Sequence, residues 1–133
     1  MKYLLDTNIC IYLLKKKYDK VSDRFSMVNK EDIRISSITL SELEFGISKS
    51  EAKEKNRRAL EVLLSNLKVV PFEDKDAKVY GPLKAKLEKA GTPIGPLDTL
   101  IAAHALSQDY ILVTNNEKEF KRVEGLKIEN WMS

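Results

Sequence analysis

Gly95-Pro-Leu-Asp-Thr-Leu-Ile-Ala-Ala-His-Ala-Leu-Ser-Gln-Asp-Tyr-Ile-Leu-Val-Thr114 reads as a helix that feeds a strand. Pro96 suits a first helical turn, where its missing N–H costs nothing, and Leu97, Leu100, Ile101, His104 and Ala105 then recur on an almost wholly apolar side. Tyr110 to Thr114 is the clearest buried strand of the chain, and Asn115-Asn116 ends it. The rest of the chain repeats this alternation.

Upstream, Lys2-Tyr3-Leu4-Leu5 is a short apolar run stopped by Asp6-Thr7-Asn8. Ile9, Ile11, Tyr12, Leu13 and Leu14 then lead into Lys15 to Lys17, giving strand, turn, helix. Ile33 to Ile38 alternates like a strand, and Thr39-Leu-Ser-Glu42 has the spacing of a capping box at a helix start. Leu60, Leu63, Leu64 and Leu67 mark an amphipathic helix over roughly residues 51–66, and Lys68 to Phe72 is a short strand ended by Pro71. Val79, Tyr80, Leu83, Leu87 and Ala90 continue with helical spacing, in which Gly81-Pro82 is expected to kink or divide the helix. Downstream of Thr114, a short helix is expected over residues 117–122 and a last strand within residues 126–131. Alternating strands and helices predict an α/β fold with a mostly parallel sheet. No repeat, low-complexity tract or linker divides the chain, so residues 1–133 form one expected domain.

Composition narrows the chemistry. With 43% hydrophobic and 32% charged residues, the chain can build one core. No apolar run approaches the roughly 18–20 residues of a membrane span, and neither a span nor a signal peptide is expected. The single Cys10 has no disulfide partner within the chain, and with His104 the only histidine no zinc set exists; a reducing, intracellular compartment is the expectation. Lysine and arginine exceed aspartate and glutamate by 23 to 20, which permits a polyanionic partner without demanding one. Glu51, Glu54 and Glu61 are interleaved with Lys53, Lys55, Arg57 and Arg58, the pattern of a solvated helix face. Tyr3, Tyr12, Tyr18 and Phe45 show no stacking pattern, and most aromatics read as core. Glycine-rich phosphate loops are absent.

Functional groups on open α/β sheets gather beyond the carboxyl ends of the strands. Asp6 directly follows the first strand, Glu42 lies just after the second, Glu119 lies past Thr114, and Asp98 opens the apolar helix. Carboxylates without histidine or cysteine are hard oxygen ligands suited to Mg²⁺ or Mn²⁺. Such ions can clamp the attacking and leaving oxygens of a phosphodiester and activate a water. Each acid also has a plainer reading. Glu42 could only cap with Thr39, Glu119 could do the same with Asn116, and Asp98 could serve the positive end of its helix. Asp6 is harder to explain that way, because an unpaired charge just after an apolar strand is costly to bury. His104, on the apolar side of its helix, reads as a core histidine.

Leu-Leu-Asp6-Thr7-Asn8, Ser37-Ile-Thr-Leu-Ser-Glu42-Leu-Glu-Phe-Gly46, Pro93-Ile-Gly-Pro-Leu-Asp98-Thr-Leu-Ile-Ala-Ala-His104 and Val113-Thr-Asn-Asn116-Glu-Lys-Glu119-Phe120, closing with Gly125-Leu126 and Trp131, form an ordered set. With it the chain resembles the VapC-type toxins of the PIN-domain ribonucleases. The resemblance implies one α/β/α domain with a parallel sheet of about five strands, and an acidic cluster that binds Mg²⁺ or Mn²⁺ and cleaves RNA. Asp6, Glu42 and Asp98 match three family acids; Thr7, Asn8 and Thr114 match polar positions of the same pocket. Asn116 stands where many PIN domains have aspartate, and Glu119 matches the acid of the subgroup with Thr-Asn-Asn. The resemblance further implies a VapB-type antitoxin, a homodimer or toxin–antitoxin hetero-oligomer, a cytoplasmic setting, and initiator tRNA, cut in the anticodon loop, as substrate. A PIN fold that binds without cleaving would have lost cluster acids, which are present here. A phosphoacceptor receiver would need an acceptor acid after the third strand, where Val69-Val-Pro-Phe72 offers none.

Overall fold

A computed structural model describes residues 1–133. The chain runs β1 (Tyr3–Leu5), α1 (Thr7–Lys15), α2 (Asp19–Met27), a 3₁₀ turn (Lys30–Asp32), β2 (Ile33–Ser36), α3 (Ser37–Ser48), α4 (Lys53–Leu64), β3 (Lys68–Val70), α5 (Asp74–Lys89), α6 (Pro96–Gln108), β4 (Ile111–Val113), α7 (Glu117–Phe120) and β5 (Lys127–Glu129). The five strands form one sheet in the order β3-β2-β1-β4-β5, and every pairing is parallel. The expected α/β class and strand number therefore hold.

Side chains alternate across the sheet, and so divide the core in two. Leu5, Ile35 and Val113 pack with Ile9, Cys10, Val21, Leu43, Leu60 and Trp131, under α1 to α4. Leu4 and Leu112 face the other way, toward Leu87, Ile101, Ala102, Ala105 and Phe120 of α5, α6 and α7. Each such fully buried Leu or Ile contributes about 1.5–3 kcal/mol, and together they fix the sheet between two helical layers. No helix is long and apolar enough to cross a membrane.

The chain lays β1, β2 and β3 outward on one side and then returns to add β4 and β5 on the other. That reversal sits between β1 and β4. Their carboxyl ends open a crevice there, which the succeeding helices line.

Local expectations shift in four places. The α3 cap is Ser36, whose hydroxyl accepts from the Ile38 N–H at 3.1 Å; Thr39 lies inside the helix and is buried, so it makes no capping box with Glu42. Pro82 sits inside a continuous α5, because it and Lys78, whose carbonyl loses its partner to the proline, both face solvent. Helix α2 has no counterpart in the sequence reading: Val21 is its one fully buried residue, too thin a stripe to announce a helix. Phe45, read as core, is 65% exposed.

Candidate active site

Asp6 leaves β1 and caps α1. Its backbone N–H bonds the Val113 carbonyl of β4 at 3.0 Å, and its Oδ1 accepts from the Ile9 N–H at 2.9 Å. Cap geometry thus ties the carboxylate to the crevice between β1 and β4. Thr114, at the end of β4, accepts from the Asn116 N–H at 2.9 Å, and its hydroxyl lies near enough to Asp6 to oppose the rise of that carboxyl.

The other acids arrive from three helices. Glu42, on α3, accepts from the Thr7 hydroxyl at 2.6 Å, and Thr7 Oγ1 lies 3.4 Å from Thr39 Oγ1. Thr7 therefore aims Glu42 inward. Asp98 occupies the first turn of α6. Glu119, on α7, accepts from Asn116 Nδ2 at 2.8 Å, and Asn116 makes no side-chain cap bond, so the Asn-x-x-Glu capping box that was the plainer reading of Glu119 is absent. Asn8 is exposed beside Asp6 on the first turn of α1. Asp6, Thr7, Asn8, Glu42 and Asp98 line one cavity of about 670 Å³.

Charge confirms that these groups feel one another. Asp98 is pushed up to about 6, first by burial and then by the charges of Asp6, Glu119 and Glu42. A carboxylate serving only a helix N-terminus would be pulled below its usual range. Asp6 is also raised to about 6, by burial first, with the Thr114 and Ile9 hydrogen bonds opposing and Glu42 adding to the rise. Under the cluster, burial and the charges of Asp6 and Glu42 push the Cys10 thiol up, leaving it an inert core group.

An all-oxygen donor set in which burial first, and like charges after it, push two carboxyls toward their neutral form is one that a hard cation would relieve. The side chains stand apart enough that no three of them already form a cage around one point. Fit to Mg²⁺ or Mn²⁺ rests on donor chemistry and electrostatics.

The family model described as PIN domain matches residues 3–126. The chain belongs to the PIN-domain family. Within it, this PIN domain stands with the VapC ribonucleases. It is 46% identical over 132 residues to Ribonuclease VapC2 of Rickettsia felis, covering 98% of each chain. It is 43% identical over 131 residues to the tRNA(fMet)-specific endonuclease VapC of Salmonella typhimurium, again covering 98% of each. The crystal structure of VapBC2 from Rickettsia felis bound to a DNA fragment from their promoter contains a chain that superposes with a TM-score of 0.93 at 45% identity, covering 98% of this PIN domain and 99% of that chain.

Two features of this PIN domain escaped the sequence reading. Phe45, Gly46, Lys49 and Leu97 line the same cavity as the acids. For the first three the signal was the α3 period of Glu42, which runs on through 45, 46 and 49; Leu97 comes from α6. The second feature is a sealed network around His104, the histidine expected in the core. His104 Nδ1 meets Ser36 Oγ at 2.9 Å, and its Nε2 lies 3.6 Å from Asp76 Oδ2. Asp76 is acceptor-only, so Nε2 carries the hydrogen and Ser36 donates to Nδ1. All three are buried, which makes the trio a brace between β2, α5 and α6 and keeps Ser36 from any substrate.

Proposed function

We propose that this PIN domain is a divalent-metal-dependent endoribonuclease, the toxin of a type II toxin–antitoxin pair, acting in the cytoplasm. The observation that carries the reading is the convergence of Asp6, Glu42 and Asp98 on one cavity with Glu119 close enough to raise Asp98. Asp6, Asp98, Glu42 and Glu119 would hold Mg²⁺ or Mn²⁺, with the Asn116 amide oxygen as a neutral contributor. When bound, such an ion would supply positive charge beside the scissile phosphate and lower the pKa of a water. Around it the chain's own groups divide the work. Thr7 holds Glu42 in place, and the bonds to the Ile9 N–H and the Val113 carbonyl hold Asp6. Asp98, in the first turn of α6, faces the same cavity and would hold the ion together with them.

The 43% identity to an endonuclease named for tRNA(fMet) supports initiator tRNA, cut in the anticodon loop, as the substrate. Similarity to the VapC chains of solved VapBC complexes supports a VapB-type antitoxin and a homodimer or hetero-oligomer. Purified protein should cleave RNA with Mg²⁺ or Mn²⁺, lose cleavage in excess EDTA, and leave 5′-phosphate and 3′-hydroxyl ends. Full cleavage in EDTA, or 2′,3′-cyclic phosphate ends, overturns the mechanism. Mapping fragment 5′ ends after brief expression tests the substrate.

A further inference from the structure

Helix α3 continues past Glu42 in an unusual way. Glu42, Phe45, Gly46 and Lys49 stand at i, i+3, i+4 and i+7, so they share one helix face, and all four line the acidic cavity. At 1.5 Å per residue, Lys49 lies roughly 10 Å along the axis from Glu42. The stripe therefore starts at the candidate metal site and leads away from it.

Each position is odd for a surface helix. Phe45 is 65% exposed, and Leu97 on the facing helix α6 is 45% exposed, so two large apolar groups flank an acid-lined cleft. The Lys49 ammonium lies 5.0 Å from the Phe45 ring centroid and has no carboxylate partner. Gly46 weakens the helix relative to alanine, yet a Cβ there would meet nothing within 4 Å. Internal packing does not require this glycine. Gly46 and Lys49 also line the neighbouring groove of about 380 Å³, so the two cavities adjoin along this face.

We propose that this face of α3 is a nucleotide subsite for single-stranded RNA beside the scissile phosphate: a base stacks on Phe45, the sugar-phosphate chain crosses at Gly46, and Lys49 meets the next phosphate. The subsite rests on the ribonuclease reading. An exposed aromatic ring beside an unpaired cation is the pairing that holds single strands, because every base offers a π-face and every linkage a negative charge. Continuity with the acids favours RNA over a protein segment, since the stripe ends where a phosphodiester would be cut.

Three substitutions test the subsite. Phe45→Leu keeps apolar bulk and loses the π-face, and should raise KM for a single-stranded oligoribonucleotide about tenfold, whereas Phe45→Tyr should restore it. Lys49→Glu should raise KM more at low salt than at high salt. Gly46→Leu should melt at or above the wild-type temperature and yet cleave poorly, a split that a structural role for the glycine would not give. The thermal shift on adding Mn²⁺ should be unchanged in all of them. Equal KM for Phe45→Leu and wild type, or a Gly46→Leu protein that cleaves normally, overturns the subsite and leaves this face to a protein partner. Binding of the labelled oligonucleotide, followed by anisotropy, ranks the variants whether or not the chain cleaves. A wild type that bound in this rank order without cutting would sink the ribonuclease reading alone.

Discussion

Asp6 and Asp76 are both buried carboxylates in the opening turn of a helix, and their titrations run in opposite directions. Burial alone would raise Asp76, but the Glu73 N–H at 2.8 Å, the Ser107 side chain, the Gln108 amide at 3.1 Å and His104 outweigh it and hold the carboxyl below its usual range. Asp6 also accepts hydrogen bonds, yet burial prevails there, Glu42 adds to it, and the group rises to about 6. Asp76 is surrounded by donors and Asp6 stands among acids. Burial thus sets the stakes, and the neighbours set the sign. The brace around Asp76 is complete within the chain; Asp6 has no ion-pair partner.

Replacing Asp98 should break the contrast most visibly. Asp98→Asn should lower RNA cleavage about a hundredfold or more, leave the metal-free protein as stable or more stable, and shrink the thermal shift given by Mn²⁺. Melts in EDTA and in Mn²⁺ beside one cleavage assay check all three. A destabilised, active variant would return Asp98 to a helix-dipole role.

Asp76→Asn should do the reverse, costing about 1–3 kcal/mol, because donors satisfied by the carboxylate lose their acceptor. Its Mn²⁺ shift should stay at the wild-type size. Chemical denaturation of the two variants side by side measures the difference.

The smallest effect is the pH profile. Asp6 and Asp98 sit near 6 in the fold against a usual 3.8, so the folded chain holds protons that the unfolded chain has released. Their contribution to stability is full below pH 3.8 and is lost as pH rises through 6. Asp76, held low, contributes above its usual 3.8, and that contribution is lost as pH falls through its lower folded value. Melting temperature in EDTA should accordingly fall between about pH 5 and 7, less so with Mn²⁺ and least in Asp98→Asn. A flat wild-type profile would show that the crevice does not raise its carboxyls.

The acids were legible because each follows a strand or opens a helix, and chain order already assigns such positions to one end of a parallel sheet. The bonds that aim them were not. Thr7 reaches Glu42 across 35 positions and Ser36 reaches His104 across 68, separations that no local pattern encodes. Local rules also misassigned the α3 cap, since Thr39 and Glu42 fit the capping spacing while Ser36, one residue before the helix, holds the position. Phe45 was misread because the aromatics were read as core as a class, although the side chains of Phe45 and the buried Leu43 leave α3 in different directions.

The central place of β1 has a consequence for synthesis. Its partners are β2 and, in register Tyr3 with Ile111, β4. Asp6 and Glu42 leave the ribosome early, but the strand that completes their crevice and the helix bearing Glu119 are among the last segments made. At roughly 5–20 residues per second, several seconds separate the first acid from the last. A nascent chain therefore carries half of its acids with no site to put them in, and the ribosome that makes the nuclease is finished with nearly all of it before the crevice can close.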